Sequence, residues 1–135
     1  MSLRFAGYAA LFGIRDAGRD TIRRGAFSET LAAWNSGRDG PLPLYWQHRP
    51  DQRIGSIEEV AEDQRGLRVI GVIDNPDGGA AAALKRRTVT GLSFGFRARS
   101  FTHDASGREL RSVDLFEVSL VTHPMQHGAR VHLLA

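Results

Sequence analysis

Apolar and polar residues alternate with period two over most of this chain, and a helical period replaces that alternation in two places. Leu42, Leu44 and Trp46 alternate with Pro43, Tyr45 and Gln47, as in a strand with one buried face. Leu92, Phe94 and Phe96 do the same, and Ala98 and Ser100 prolong the series. The pattern predicts a first strand over residues 3–12 with a bulge at Gly7, and a hairpin of 54–61 and 66–73 around Glu62-Asp63-Gln64-Arg65. A further strand at 109–121 follows a charged loop at 102–108, and residues 128–134 form a short closing strand. Phe27, Leu31 and Trp34 recur at i, i+4 and i+7 and predict a helix over 25–34. Thr21-Ile22-Arg23 leads into that helix after a turn at 16–20, and a polar loop at 35–40 ends it. An alanine run predicts a second helix over 79–87, capped by Asn75 or Asp77.

Six or seven strands joined mostly by short turns, with two helices, lack the regular strand–helix alternation of a doubly wound parallel sheet. The expected fold is therefore mainly β (α+β), an antiparallel six- to seven-stranded barrel flanked by about two helices. At 135 residues the chain is one domain, 1–135, long enough to bury a core unaided. There is no internal repeat, low-complexity tract or evident linker.

Composition narrows the chemistry. Hydrophobic residues make up 41% and charged residues 24%, ordinary for a soluble globular protein. The absence of cysteine excludes disulfides, a thiol nucleophile and thiolate metal sites. The net charge of +3 invites a nucleic-acid role, but 17 of the 18 basic residues are arginines scattered along the chain, with Lys85 the exception. The densest knot, Lys85-Arg86-Arg87, falls short of the clustered patch that phosphate binding needs. The apolar residues 5–14 are too few to span a membrane and read as no targeting segment. No membrane partner is expected.

Three segments carry candidate chemistry. The run Gly91-Leu92-Ser93-Phe94-Gly95 matches the G-x-S-x-G nucleophile elbow, which requires a strand, a sharp turn and a helix. The alternation through Phe96 and Ala98 predicts instead a strand running straight through. Ser93 then shares its face with Gly91 and Gly95, leaving open backbone where a peptide can approach; a small residue tolerated beside packing glycines is the plainer alternative. His48 ends the run Leu42–Leu44–Trp46 before an Arg49-Pro50 turn. Partial burial beside the indole keeps an imidazole neutral, the state of a general base, while a structural histidine bonded to a loop carbonyl fits equally. Glu117 lies inside an apolar strand, where a carboxylate needs a partner. Orienting an imidazole is one such partnership, and a salt bridge to Arg97 or Arg99 is another. His123 and His127 have the spacing of a helical metal pair, but Pro124 and Gly128 argue against the helix, so no metal and no cofactor is expected.

In the order His48, Ser93, Glu117, and across six segments, the chain resembles the prohead maturation proteases of tailed phages and gene transfer agents. Those segments are residues 5–12, 24–27, 44–48, 66–71, 91–96 and 116–122. The family is distantly similar to herpesvirus assemblin, a serine protease on an antiparallel barrel. The resemblance implies a serine endopeptidase in which Ser93 attacks, His48 relays the proton and Glu117 orients His48. Asp114 is a rival for the third role, and so is His123, because the herpesvirus relatives use a second histidine there. Backbone amides are the expected oxyanion donors, with Arg97 or Arg99 placing them or a bound peptide. Ser93 and His48 are expected on neighbouring strands, within hydrogen-bond reach or somewhat looser without substrate. The implied substrates are scaffolding or major capsid protein and the protease itself, inside an immature capsid in the bacterial cytoplasm, with a possible second copy as partner. Family members can carry further C-terminal sequence, whereas this chain ends at Ala135, soon after the Glu117 segment. A catalytically silent assembly component of the same fold and an arginine-rich nucleic-acid-associated barrel are the alternatives.

Overall fold

The computed structural model describes residues 2–135. The elements in order are β1 (Leu3–Leu11), β2 (Asp20–Ile22), α1 (Ser28–Asn35), β3 (Leu42–Trp46), β4 (Arg49–Glu62), β5 (Gly66–Ile73), α2 (Gly79–Lys85), β6 (Gly91–Asp104), β7 (Gly107–Val121) and β8 (Val131–Leu134). The strands form one sheet in the order β2-β7-β3-β4-β5-β1-β8, and β6 also pairs with β7. The start of β6 approaches the run into β8: Gly91 bridges Arg130, and the Leu92 N–H donates to the Ala129 carbonyl at 2.9 Å. The result is a mainly β fold, a curled mixed sheet forming a half-barrel, with two short helices.

Five expectations need correction here. Among the described residues there are eight strands rather than six or seven, and the sheet is not purely antiparallel, because β7 pairs in parallel with both β2 and β3. Period-two alternation tells which face a residue takes, but it is blind to the direction of the neighbouring strand. Residues 20–22, expected to lead into a helix, instead pair with Arg108, Glu109 and Leu110. Asp20 fixes this short strand by accepting both Nε and Nη2 of Arg108 at 2.8 Å. The loop expected at 102–108 is mostly strand, since β6 and β7 stay paired out to Asp104 and Gly107. Neither Asn75 nor Asp77 caps α2. Its N-cap is Gly78, and the Asn75 side chain accepts the Asp77 N–H in a local turn.

The helix predicted from Phe27, Leu31 and Trp34 does form, and it supports β7 directly. Phe27 is fully buried, packing edge-on to Phe94 at 5.3 Å between ring centres. Glu62 accepts the N–H groups of Gly25 and Phe27 at 2.9 and 2.8 Å, satisfying donors ahead of the first helical turn. Along β7, β2 covers Arg108–Leu110 and β3 covers Val118–Leu120, leaving a stretch of edge between them. The α1 region fills it. The Ala26 carbonyl accepts the Val113 N–H at 3.1 Å, Thr30 Oγ1 accepts the Leu115 N–H at 3.0 Å, and Trp34 Nε1 donates to the Leu115 carbonyl at 2.8 Å. Buried backbone groups that no strand reaches are thus paired by a helix. Opposite, the β6–β7 register slips between Gly95 and Phe96, leaving Phe116 without a paired residue and 51% exposed.

Gly7 sits where the β1–β8 register shifts, and a Cβ there would lie 2.3 Å from the Arg130 carbonyl oxygen. The predicted irregularity is therefore present, and it admits the backbone of the closing strand.

Candidate active site

The site is built on residues of β7 that face away from the core side chains Val118 and Leu120. Glu117 and Ser119, two apart on one strand, share a face. Their cross-strand partners on β6 are Gly95 and Ser93. On the other side of β7, β3 brings Tyr45 level with Ser119 and Trp46 level with Leu120. His48 and Ser93 therefore do not lie on neighbouring strands as expected. They flank β7 from opposite sides, with about two strand spacings, near 10 Å, between β3 and β6.

A turn brings His48 back over β7. The sequence predicts that His48 extends the strand and that Arg49-Pro50 turns. Instead, the chain reverses at Gln47-His48, Trp46 pairs with Arg49, and β4 begins there. Gln47 has φ 53° and His48 φ 61°, both left-handed, as in the tight hairpin turn that usually recruits Asn and Gly. Because His48 leaves the strand, its backbone rises over β7. Its N–H donates to Ser119 Oγ at 3.1 Å, and Nδ1 lies 2.5 Å from Glu117 Oε1. The Ser119 hydroxyl donates to the other carboxylate oxygen at 2.5 Å. Both Glu117 oxygens are thus engaged, and the Glu117 side chain is 9% exposed against 42% for His48.

This arrangement sets the tautomer. A buried carboxylate accepting at Nδ1 keeps the proton on that nitrogen, so in the neutral ring Nε2 carries the free lone pair. Such an imidazole takes a proton at Nε2 while the carboxylate stabilises the resulting cation.

Of the predicted residues, the structure brings His48 and Glu117 into contact. Ser93 is opposite Ser119 and 4% exposed, and among the described residues no hydrogen bond joins it to His48. Its strand continues to Asp104, so no elbow forms. The open backbone expected beside Ser93 is occupied. A Cβ on Gly91 would lie 2.7 Å from Pro124 Cδ, and one on Gly95 would lie 2.5 Å from Glu117 Oε1. The glycines make room for a proline and for the carboxylate. Asp114 pairs with Arg97 at 2.8 Å and Arg99 at 3.7 Å, and Arg99 also reaches Glu29 at 2.9 Å. None of these touches His48. His123 is exposed, and residues 123–128 are turns and bends rather than the helix a His123–His127 pair would need.

Ser119 escaped the sequence reading. The available signal was two polar residues spaced by two, Glu117 and Ser119, within an otherwise apolar run.

Gly95 offers a direct check of this packing. Gly95→Ala is expected to slow any reaction depending on the His48–Glu117 contact by at least about tenfold, because the methyl displaces a carboxylate oxygen whose position matters at the ångström level. The melting temperature is expected to move by only a few degrees, roughly the shift that 1 kcal/mol brings in a domain of this size. A Gly95→Ala protein with unchanged rate would show that the carboxylate has freedom the packing denies it.

The family profile described as Caudovirus prohead serine protease matches residues 1–135. The prohead protease of Enterobacteria phage HK97 is 33% identical over 134 residues, covering 94% of this chain and 58% of that protein. The chain thus spans somewhat over half the length of this relative. Among solved structures, the bacteriophage T4 capsid assembly protease superposes with a TM-score of 0.71 at 13% identity, over 91% of this chain and 84% of that one. The varicella-zoster virus protease gives 0.64 at 17% identity, over 98% and 64%. At those identities the two structures speak to the fold, which is herpesvirus protease-like.

Proposed function

The chain belongs to the caudovirus prohead serine protease family, and from that membership we propose that it is a serine endopeptidase that cleaves capsid or scaffolding protein during maturation of a phage or gene-transfer-agent prohead. The observation that carries this reading is the His48–Glu117 contact at 2.5 Å, held over the strand that pairs Ser119 with Ser93.

In this mechanism Ser93 Oγ bonds to the scissile carbonyl carbon as its proton moves to His48 Nε2. The C–N bond then breaks, the leaving amine takes that proton, and an acyl-enzyme remains. Water attacks the ester carbonyl, His48 accepts a water proton and returns it to Ser93 Oγ, and the new carboxyl terminus departs. Glu117 accepts from Nδ1 and stabilises the imidazolium in both halves. No metal or cofactor takes part in these steps. Ser93 is only 4% exposed, so the mechanism requires the peptide to reach a largely covered side chain. Among the described residues no hydrogen bond joins Ser93 to His48, and the mechanism requires one to form as the peptide docks. The site of action is the interior of the immature capsid in the bacterial cytoplasm, with the protease itself a further substrate.

Coexpression with the major capsid protein of the same genome tests this. The expected result is a discretely shortened capsid or scaffolding protein; an intact one in the presence of folded protease counts against the reading. The missing Ser93–His48 bond and the burial of Ser93 favour a second reading, a silent assembly component of the same fold. A serine-directed phosphonate separates the two: an enzyme is labelled at Ser93, a silent member is not.

A further inference from the structure

Building on the endopeptidase reading above, we infer that Gln47 is a positioning residue whose side-chain amide clamps Thr122 and so holds the left-handed turn carrying His48 over β7. Gln47 Nε2 donates to Thr122 Oγ1 at 2.6 Å, and Gln47 Oε1 accepts the Thr122 N–H at 3.1 Å. Both ends of one amide are engaged by one residue, at the position where β7 ends. The Gln47 N–H adds a third tie, donating to the Leu120 carbonyl at 3.0 Å.

The turn needs such ties. Non-glycine residues with positive φ cost of order 1 kcal/mol or more each, and they persist only where the surroundings over-determine them. Gln47 and His48 occupy that region consecutively, with φ 53° and 61°. Neither is the Asn or Gly that the turn type favours, so local preference pulls the segment toward other conformations. Any of these would lift the His48 N–H from Ser119 and carry the imidazole away from Glu117, because both contacts depend on the backbone standing over β7. Outside the His48–Glu117–Ser119 network the turn is tied by the Gln47 N–H bond to Leu120, which any residue could make, and by the two side-chain bonds that need glutamine. Gln47 therefore acts through His48 rather than on substrate.

The test replaces Gln47 with alanine and with glycine in the full chain. Glycine is the informative variant, because it relieves the positive φ while deleting the clamp. If tolerance of the turn were all that mattered, Gln47→Gly would equal or exceed the parent. The clamp predicts that both variants lose about tenfold to a hundredfold in kcat on capsid protein, with KM within about twofold, the signature of a misplaced catalytic group. The second readout needs no substrate: the His48 Nδ1 proton, seen by NMR in its bond to Glu117, is expected to broaden or vanish in both variants while the melting temperature stays close to that of the parent. Gln47→Gly with parental kcat and an unchanged His48 resonance overturns the inference. If the parent itself cleaves nothing, it is the endopeptidase reading that falls; if Ser93→Ala cleaves equally well, only Ser93 loses its role as nucleophile. The His48 resonance then decides the role of Gln47 by itself. Should Gln47→Ala fail to fold, Gln47→Gly carries both measurements.

Discussion

Ser93→Ala is expected to lower cleavage of capsid protein by on the order of a thousandfold or more and to leave the fold unchanged. The first half follows from the proposed mechanism, in which the lost atom forms the acyl bond; what remains comes from substrate binding and backbone donors alone. The second half follows from the surroundings. Ser93 is 4% exposed, and its neighbours across and along the strand are Ser119, Leu92 and Phe94. Alanine keeps the Cβ on the same face and deletes a hydroxyl that neither His48 nor Ser119 holds by a hydrogen bond. Parental cleavage by a Ser93→Ala protein would end the reading of this serine as nucleophile. Mass spectrometry of the capsid product, beside a melting curve, measures both halves.

Glu117→Gln is expected to cost roughly a hundredfold to ten-thousandfold in kcat, as loss of the acid does in other Ser–His–acid sites. The amide is close in shape, but it has one acceptor where the carboxylate has two. Glu117 now takes hydrogen bonds from both His48 Nδ1 and the Ser119 hydroxyl. If the amide oxygen faces His48, its NH2 faces a Ser119 hydroxyl that already accepts the His48 N–H. If it flips, an N–H faces Nδ1 and favours the tautomer protonated at Nε2, the wrong one for a base. In neither orientation does a negative charge offset the imidazolium. His123→Ala is expected to stay within about twofold of the parent, since His123 is exposed and outside the His48 contacts. Because Glu117 is buried, melting curves must accompany the rates. A well-folded Glu117→Gln enzyme at full speed, with His123→Ala dead, would transfer the third role to the histidine.

What could be read from the sequence was whatever local periodicity encodes. The strand running through Ser93, the helix face of Phe27, Leu31 and Trp34, and the partner required by a buried Glu117 all follow from spacing along one segment. What could not be read depends on pairing between distant segments. Nothing in Leu42–Trp46 reveals that its neighbour is β7 and that the two run in parallel. The turn at Gln47-His48 was hidden for a related reason. Gln and His are poor local signals for a left-handed turn, and the bonds that impose it come from Ser119, Leu120 and Thr122, more than seventy positions away along the chain. Arg49-Pro50 is by contrast a strong local turn signal, and it misled. Ser119 was missed because serine in a strand is unremarkable until its two partners are known.

The parallel contact between β3 and β7 also bears on when the site comes into being. Trp46 meets Leu120, and Leu44 meets Val118, across a long intervening loop that contains the β4–β5 hairpin, α2 and β6. Hairpins such as β6–β7 close short loops and can form early, whereas a parallel pairing over such a separation bears its entropic cost before its contacts repay it. Ser93, Glu117 and Ser119 can therefore be in register on their hairpin while His48 is still elsewhere. On the proposed mechanism, a chain in that half-folded state has Ser93 in place without its base. On that mechanism base and nucleophile come together only when this pairing forms, and a half-folded chain is inactive.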